Sequence, residues 1–101
     1  MTKIPASLIV SYLYSEYQPK KVSGSNELRI NSPFVEDTKF HCYINPDESV
    51  YTDFKAGGGG SGSTYDFFKE ILGLKGFSSI ISYLIKNYGT TEQKLKFEEN
   101  K

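Results

Sequence analysis

The residues able to do acid–base, nucleophilic or metal chemistry are few and poorly placed for it. His41 and Cys42 are neighbours in the chain, and neighbouring side chains of a strand point to opposite faces. The pair is therefore unsuited to chelating one ion or to nucleophilic catalysis. Cys42 is the only cysteine and is expected to be a small core residue. The acids Asp47, Glu48 and Asp53 are scattered around a turn signal, without the pairing typical of a hydrolase. We expect neither a catalytic site nor a metal site.

A run of glycine and serine occupies residues 57–63, just ahead of a helical pattern. Backbone amides in such a position can hold a phosphate. A P-loop, however, ends in Gly-Lys-Ser/Thr, and the dinucleotide fingerprint follows a strand of a parallel unit. Neither context is present, so the run is predicted to be a flexible turn between a strand and a helix. An engineered Gly-Ser linker is the alternative.

A second group of residues combines positive charge with aromatic rings. These residues fall in segments predicted as strands or directly after one, and they are expected to share one outward face of a small sheet. Rings beside cations are typical of a platform for unpaired bases, each stacked base being worth about 1–3 kcal/mol. The alternative is an ordinary half-exposed sheet face, on which Tyr and Lys pair across strands. The predicted DNA-binding residues are Arg29, Lys39, His41, Tyr43, Tyr51 and Lys55.

Three short strands are predicted to position this group. They comprise residues 27–31, 39–44 and 50–54, the last two joined by a turn at 45–48. In the second strand, alternation predicts that Phe40, Cys42 and Ile44 point inward.

Helices are predicted on both sides of these strands. The first covers residues 5–17 and leads into a connecting loop at 18–26. Two more cover residues 64–72 and 77–88, each followed by a glycine stop. The predicted fold class is α+β: a small three-stranded antiparallel sheet with one N-terminal and two C-terminal helices. Residues 1–89 are expected to form the domain, and residues 90–101 a charged tail or linker.

Composition limits the range of functions. Lys+Arg and Asp+Glu number 12 each in 101 residues, so the net charge is zero. Proteins dedicated to duplex DNA usually have a basic excess, so this balance argues against tight nucleic-acid binding, although it is compatible with a local basic patch. Eight Tyr and seven Phe can supply a compact core. No apolar run is long enough to span a membrane, and the single cysteine agrees with a reducing, cytoplasmic setting.

Three landmarks follow one another between residues 27 and 89: Ser32-Pro33-Phe34-Val35, Ile44-Asn45-Pro46 and Tyr65-Asp66-Phe67-Phe68. Their order resembles the N-terminal zinc-binding domain of bacterial and phage DNA primases. In that family Cys-Pro-Phe-His or Cys-Pro-x-Cys stands at the first landmark. A Cys-x-x-Cys knuckle precedes the glycine turn and the Asp-Phe helix.

The departures from the family pattern concern the metal. Ser32 and Val35 stand at the first ligand pair, and the knuckle falls at Asp53 and Ala56, or at Lys55 and Gly58. Structural zinc needs about four Cys or His donors. The resemblance therefore implies a zinc ribbon that has lost its zinc and needs no cofactor, stabilised instead by its apolar core and helices.

The resemblance also implies a function. The family domain recognises a single-stranded template trinucleotide and presents it to a polymerase domain, which has no counterpart in these residues. We expect a non-catalytic module, of phage origin or from a larger replication protein, that binds single-stranded DNA without zinc. The resemblance implies that its setting is the cytoplasm of a bacterial or phage-infected cell. Tyr43, His41 and Tyr51 would stack on bases, while Lys39, Arg29 and Lys55 would contact phosphates. The alternative is a protein-interaction module that docks on a helicase, a polymerase or a host factor.

Overall fold

The computed structural model describes residues 3–55 and 60–99, and over these ranges the protein is α+β, as predicted. The elements in chain order are α1 Ala6–Glu16, β1 Lys20–Lys21, β2 Leu28–Ile30, β3 Cys42–Asn45, β4 Val50–Asp53, β5 Gly60–Ser63, α2 Thr64–Leu72, α3 Phe77–Tyr88 and α4 Thr91–Glu99.

The sheet has five antiparallel strands in the order β1-β2-β3-β4-β5, where three were predicted. The two additional strands are the edges. Strand β1 lies within the predicted connecting loop, and its two residues pair with β2. Strand β5 comes from the second half of the glycine and serine run and pairs with β4 along four residues. The flexible turn predicted for this half is therefore wrong, while residues 57–59 lie outside the described residues.

Gly62 shows why a strand can be built from glycine here. A Cβ atom at this position would lie 3.0 Å from Asp66 Oδ2 and 3.5 Å from the Tyr51 ring. Strand β5 therefore runs close against the start of α2, where there is no room for a larger side chain without displacing these neighbours.

Helix α2 has clear signals at both ends. Ser63 Oγ accepts a hydrogen bond from Asp66 N, and the Asp66 carboxylate accepts one from Ser63 N, forming a capping box. Gly73 ends the helix at φ 67°, a left-handed conformation that glycine adopts without steric cost. The bounds predicted for this helix are thus set by its own residues.

The core lies between one face of the sheet and helices α1, α2 and α3. Tyr12 joins the helices: its ring packs edge-on against Phe68 at 5.0 Å and against Tyr88 at 5.1 Å between centroids. The buried hydrophobic residues are Ile4, Leu8, Ile9, Tyr12, Leu13, Leu28, Ile30, Cys42, Ile44, Phe67, Phe68, Ile80 and Leu84.

The charged C-terminal segment contains helix α4, which contacts α3. Gln93 Nε2 donates a hydrogen bond to Ser7 Oγ over 3.0 Å, which links α4 to the first helix. The boundary at residue 89 between a domain and a tail stays a prediction. Among the described residues, none of the helices has the length and apolar character needed to cross a membrane.

Candidate nucleic-acid interface

A row of side chains crosses the sheet on the face opposite the core. Directly paired residues of antiparallel strands lie on the same face; Arg29 pairs with Tyr43, which pairs with Thr52. The edge strands extend this row with Lys20 and Ser61. All five are half-buried or exposed. We call this set the outer row: Lys20, Arg29, Tyr43, Thr52 and Ser61.

Arg29, between Lys20 and Tyr43 in the outer row, is held in place by several contacts. Its guanidinium carbon lies 5.1 Å from the centre of the Tyr43 ring, a cation–π distance. Its Nε and Nη2 donate hydrogen bonds to the carbonyl oxygens of Phe40 and Lys39, over 3.2 and 3.3 Å. A guanidinium has five N–H donors, so this anchored group has further donors for an anion.

Phe54 adds a second ring beside Tyr43. The two ring centroids are 5.5 Å apart at an interplanar angle of 84°, and Phe54 is 64% exposed. An exposed ring beside a second ring that contacts a cation is typical of platforms on which unpaired bases stack. Sequence analysis missed Phe54, although alternation along β4 places it on the same face as Thr52.

The loop between β2 and β3 is organised around one carboxylate. Asp37, whose side chain is 1% exposed, accepts hydrogen bonds from the backbone amides of Ser32, Lys39 and His41 over 2.9 to 3.0 Å. His41 Nδ1 also lies 2.8 Å from Asp37 Oδ1. Burial alone would raise the pKa of the Asp37 carboxyl, but these hydrogen bonds outweigh burial and hold that pKa well below its usual range.

Phe40, in this loop, adopts a left-handed backbone with φ 57°. For a bulky residue this conformation is strained by about 1–3 kcal/mol. It is held on both sides, because Phe40 N donates to Asn31 Oδ1 over 3.0 Å and Phe40 O accepts from Arg29. The Lys20 ammonium lies 4.4 Å from the centre of the Phe40 ring. The prediction that Phe40 points inward with Cys42 is wrong, because the left-handed residue breaks the alternation.

Three further predicted residues lie near the outer row but outside the strands. Lys39 and His41 belong to the loop, since β3 begins only at Cys42. His41 O accepts a hydrogen bond from Phe54 N, which brings the histidine next to the exposed ring. Lys55 is exposed and follows Phe54, with its amide donating to Asp53 Oδ1 over 2.8 Å. These residues lie along the end of β4 and the start of β3.

Tyr51 does not lie on this face. It pairs with Ile44 and therefore points into the core, where its ring centroid is 5.4 Å from that of Phe67 and 6.0 Å from that of Phe34. Burial of the Tyr51 hydroxyl raises its pKa, and the negative charge of nearby Asp66 raises it further. The expectation that Tyr51 shares a surface with Tyr43 is corrected: the ring on the outer face is that of Phe54, directly after β4.

Comparison with solved structures identifies a similar fold. One match is the crystal structure of the Aquifex aeolicus primase, comprising its zinc binding and RNA polymerase domains, with a TM-score of 0.59 and 22% sequence identity. The chain has a primase-like fold. The match covers 88% of this chain and 22% of the Aquifex chain, so the chain spans about a fifth of that protein's length. No protein-family model matches the sequence, and no curated protein matches it significantly.

The primase-like fold raises the question of whether these residues fit a zinc ion. At the first ligand pair, Val35 has no donor atom, and Ser32 Oγ accepts hydrogen bonds from the amides of Phe34 and Val35 over 3.1 and 3.3 Å. The nearby thiol of Cys42 is buried, and burial together with Asp53 raises its pKa to about 12. Within the described ranges, no three His, Cys, Asp or Glu residues are grouped to hold a metal. The described residues at the first ligand pair therefore offer no Cys or His ligand for zinc.

Proposed function

We propose that this protein is a module of DNA replication that binds single-stranded DNA on the outer face of its sheet. It does so without zinc and without nucleotidyl transfer of its own, in the cytoplasm of a bacterial or phage-infected cell. The primase-like fold supports the link to replication. The observation that carries the proposal is the contact of Tyr43 with both Arg29 and Phe54, which joins two rings and a fixed cation on one surface.

The rings and the cations have separate roles in this proposal. Phe54 is the most exposed ring and stacks on a base, with Tyr43 and His41 beside it. The stacking role predicted for Tyr51 is given up because its partly buried ring packs against the core, on the other face of the sheet. Arg29, Lys39 and Lys55 contact phosphates, and Lys20 joins them at the edge of the sheet. Since the net charge is zero, binding depends on this local group of cations and should weaken as salt rises.

Fluorescence anisotropy with a labelled single-stranded oligonucleotide, from low salt upward, tests the proposal. Phe54→Ala should raise Kd by about 5- to 150-fold, the loss of one stacked base. Lys39→Ala should reduce the slope of log Kd against log salt by about one. Tyr83→Ala and Lys86→Ala, on α3, are the matched controls and should leave both quantities unchanged. Absence of binding by the wild-type protein at low salt would rule the proposal out.

An exposed apolar residue beside this face favours the second candidate, a protein-interaction module. Val50 is 44% exposed and pairs with Asn45 on β3, close to the outer row. A helicase or polymerase could use this apolar surface together with Phe54. Binding of such a purified partner, weakened by Val50→Asp but unchanged by Lys39→Ala and by salt, would favour this candidate over single-stranded DNA.

A further inference from the structure

A cavity of about 460 Å³ opens between the C-terminal end of α1 and the β2–β3 loop. Its volume falls in the range of small-molecule sites. The wall is partly aromatic and partly polar. The residues that line it include Tyr14, Glu16, Tyr17, Gln18, Asn31 and Phe40.

This cavity adjoins the outer row through Phe40. One side of the Phe40 residue is covered by Lys20, an outer-row residue, and its carbonyl accepts from Arg29, another. A nucleotide in the cavity would therefore have its base near the Phe40 ring and its phosphate near two cations. The strained backbone of Phe40 fixes the ring at this junction, because Asn31 and Arg29 hold it from both sides.

The polar atoms of the cavity include donors and acceptors. Asn31 Oδ1 accepts a hydrogen bond from the backbone amide of Phe40, so the Nδ2–H groups of its side-chain amide are the donors that can meet a ligand. The Glu16 carboxylate accepts from Tyr88 Oη over 2.8 Å and, as an acceptor with several lone pairs, can take another donor. Gln18 adds a side-chain amide, which can both donate and accept hydrogen bonds. Side chains of these types read the edges of unpaired bases, whose faces stack on aromatic rings.

From this geometry we propose that the cavity binds a single nucleobase, unstacked from the strand that lies on the outer row. The inference rests on the proposed function, which it deepens by assigning a site for base preference. The outer row then holds phosphates and stacks bases of any sequence, whereas the cavity distinguishes bases at one position of the strand.

NMR titration of the wild-type protein with dAMP, dGMP, dCMP and dTMP tests the cavity separately from strand binding. The side-chain amide signals of Gln18 and Asn31 should shift, with one base giving the lowest Kd. Deoxyribose 5-phosphate, which lacks a base, should leave these signals in place. Equal, small shifts for all five compounds would overturn the proposal.

Two variants sharpen the test. Phe40→Gly removes the ring, and glycine accepts the left-handed backbone, so the fold should survive; nucleotide binding should weaken about 5- to 150-fold. Asn31→Asp keeps the acceptor for the Phe40 backbone amide but replaces the side-chain NH2 donor with a charged acceptor oxygen. It should change which base binds best, whereas simple charge repulsion would weaken all four equally. Tyr83→Ala is the control.

The outcomes separate the two proposals. If an oligonucleotide binds the wild-type protein without base preference and Phe40→Gly binds it equally well, the cavity is not a base site and the proposed function stands. If mononucleotides bind with a base preference but oligonucleotides do not bind, the cavity is a nucleotide site, whereas the proposed function fails together with the claim that the base comes from a bound strand. If neither ligand binds, both proposals fail.

Discussion

Replacing Phe67 with alanine should remove a large part of the stability of this fold. The ring is buried, and it joins three parts of the molecule: its centroid lies 5.9 Å from Phe34, 5.4 Å from Tyr51 and 5.4 Å from Phe68. Truncation of a buried Phe to Ala typically costs about 3–5 kcal/mol, the lost transfer free energy plus the cavity that remains. A domain of this size unfolds with about 5–15 kcal/mol, so the loss should be evident.

Urea unfolding, followed by far-UV circular dichroism, measures the stability lost in Phe67→Ala. Repeating it with EDTA tests the proposal that zinc does not contribute to the fold. EDTA should leave the wild-type midpoint unchanged, while Phe67→Ala lowers it strongly. Phe54→Ala is the matched control, because its exposed ring should change the free energy of unfolding by no more than about 0.5 kcal/mol. A chelator effect as large as that of Phe67→Ala would refute the reasoning, as would equal effects of the two Phe variants.

Two further predictions concern hydrogen bonds of the fold. The pKa of Asp37 is lowered below its ordinary value of 3.8, so its stabilising effect is complete above that pH and is lost as pH falls below it. The difference in urea midpoint between the wild type and Asp37→Asn should therefore be largest at neutral pH and shrink below about pH 4; a constant difference would contradict this. Ser63→Ala removes the α2 cap and should cost about 1 kcal/mol in urea unfolding, whereas Ser61→Ala, exposed in β5, should cost almost nothing; equal losses would argue against the cap.

The helices that follow the sheet were predictable because their signals are local. Residues 64–72 and 77–88 are predicted helices, and α2 and α3 have these bounds. For α2, the cap, the apolar stripe and the terminal glycine agree, and none depends on distant contacts. The edge strands had no such signal. Strand β1 is only two residues long, and β5 consists of glycine and serine, so pairing with a neighbouring strand, not residue type, makes them strands.

The candidate interface was predicted only in part, because strand alternation was applied where it does not hold. Treating residues 39–44 as one strand required Phe40 to be extended, but its φ of 57° turns the chain before β3 begins. At the end of β4 the expected burial is inverted: Asp53, its last residue, is fully buried, whereas Phe54, the next residue, is 64% exposed. Hydrophobic pattern alone cannot assign the faces of such a strand. The register of the β3–β4 hairpin assigns the faces of β4, and it places Tyr51 on the face that packs against the core.

The proposed absence of zinc and the proposed binding face are physically compatible in this protein. The β2–β3 loop is shaped by hydrogen bonds, since Asp37 binds three backbone amides and Ser32 Oγ binds two more. This loop delivers Phe40 and His41 to the outer face, and its carbonyls anchor Arg29. A carboxylate and a hydroxyl thus fix the backbone that supports the interface. Replacing Asp37 should therefore weaken the proposed DNA binding by altering the loop. The effect would be indirect, because the Asp37 side chain is buried and does not contact the DNA.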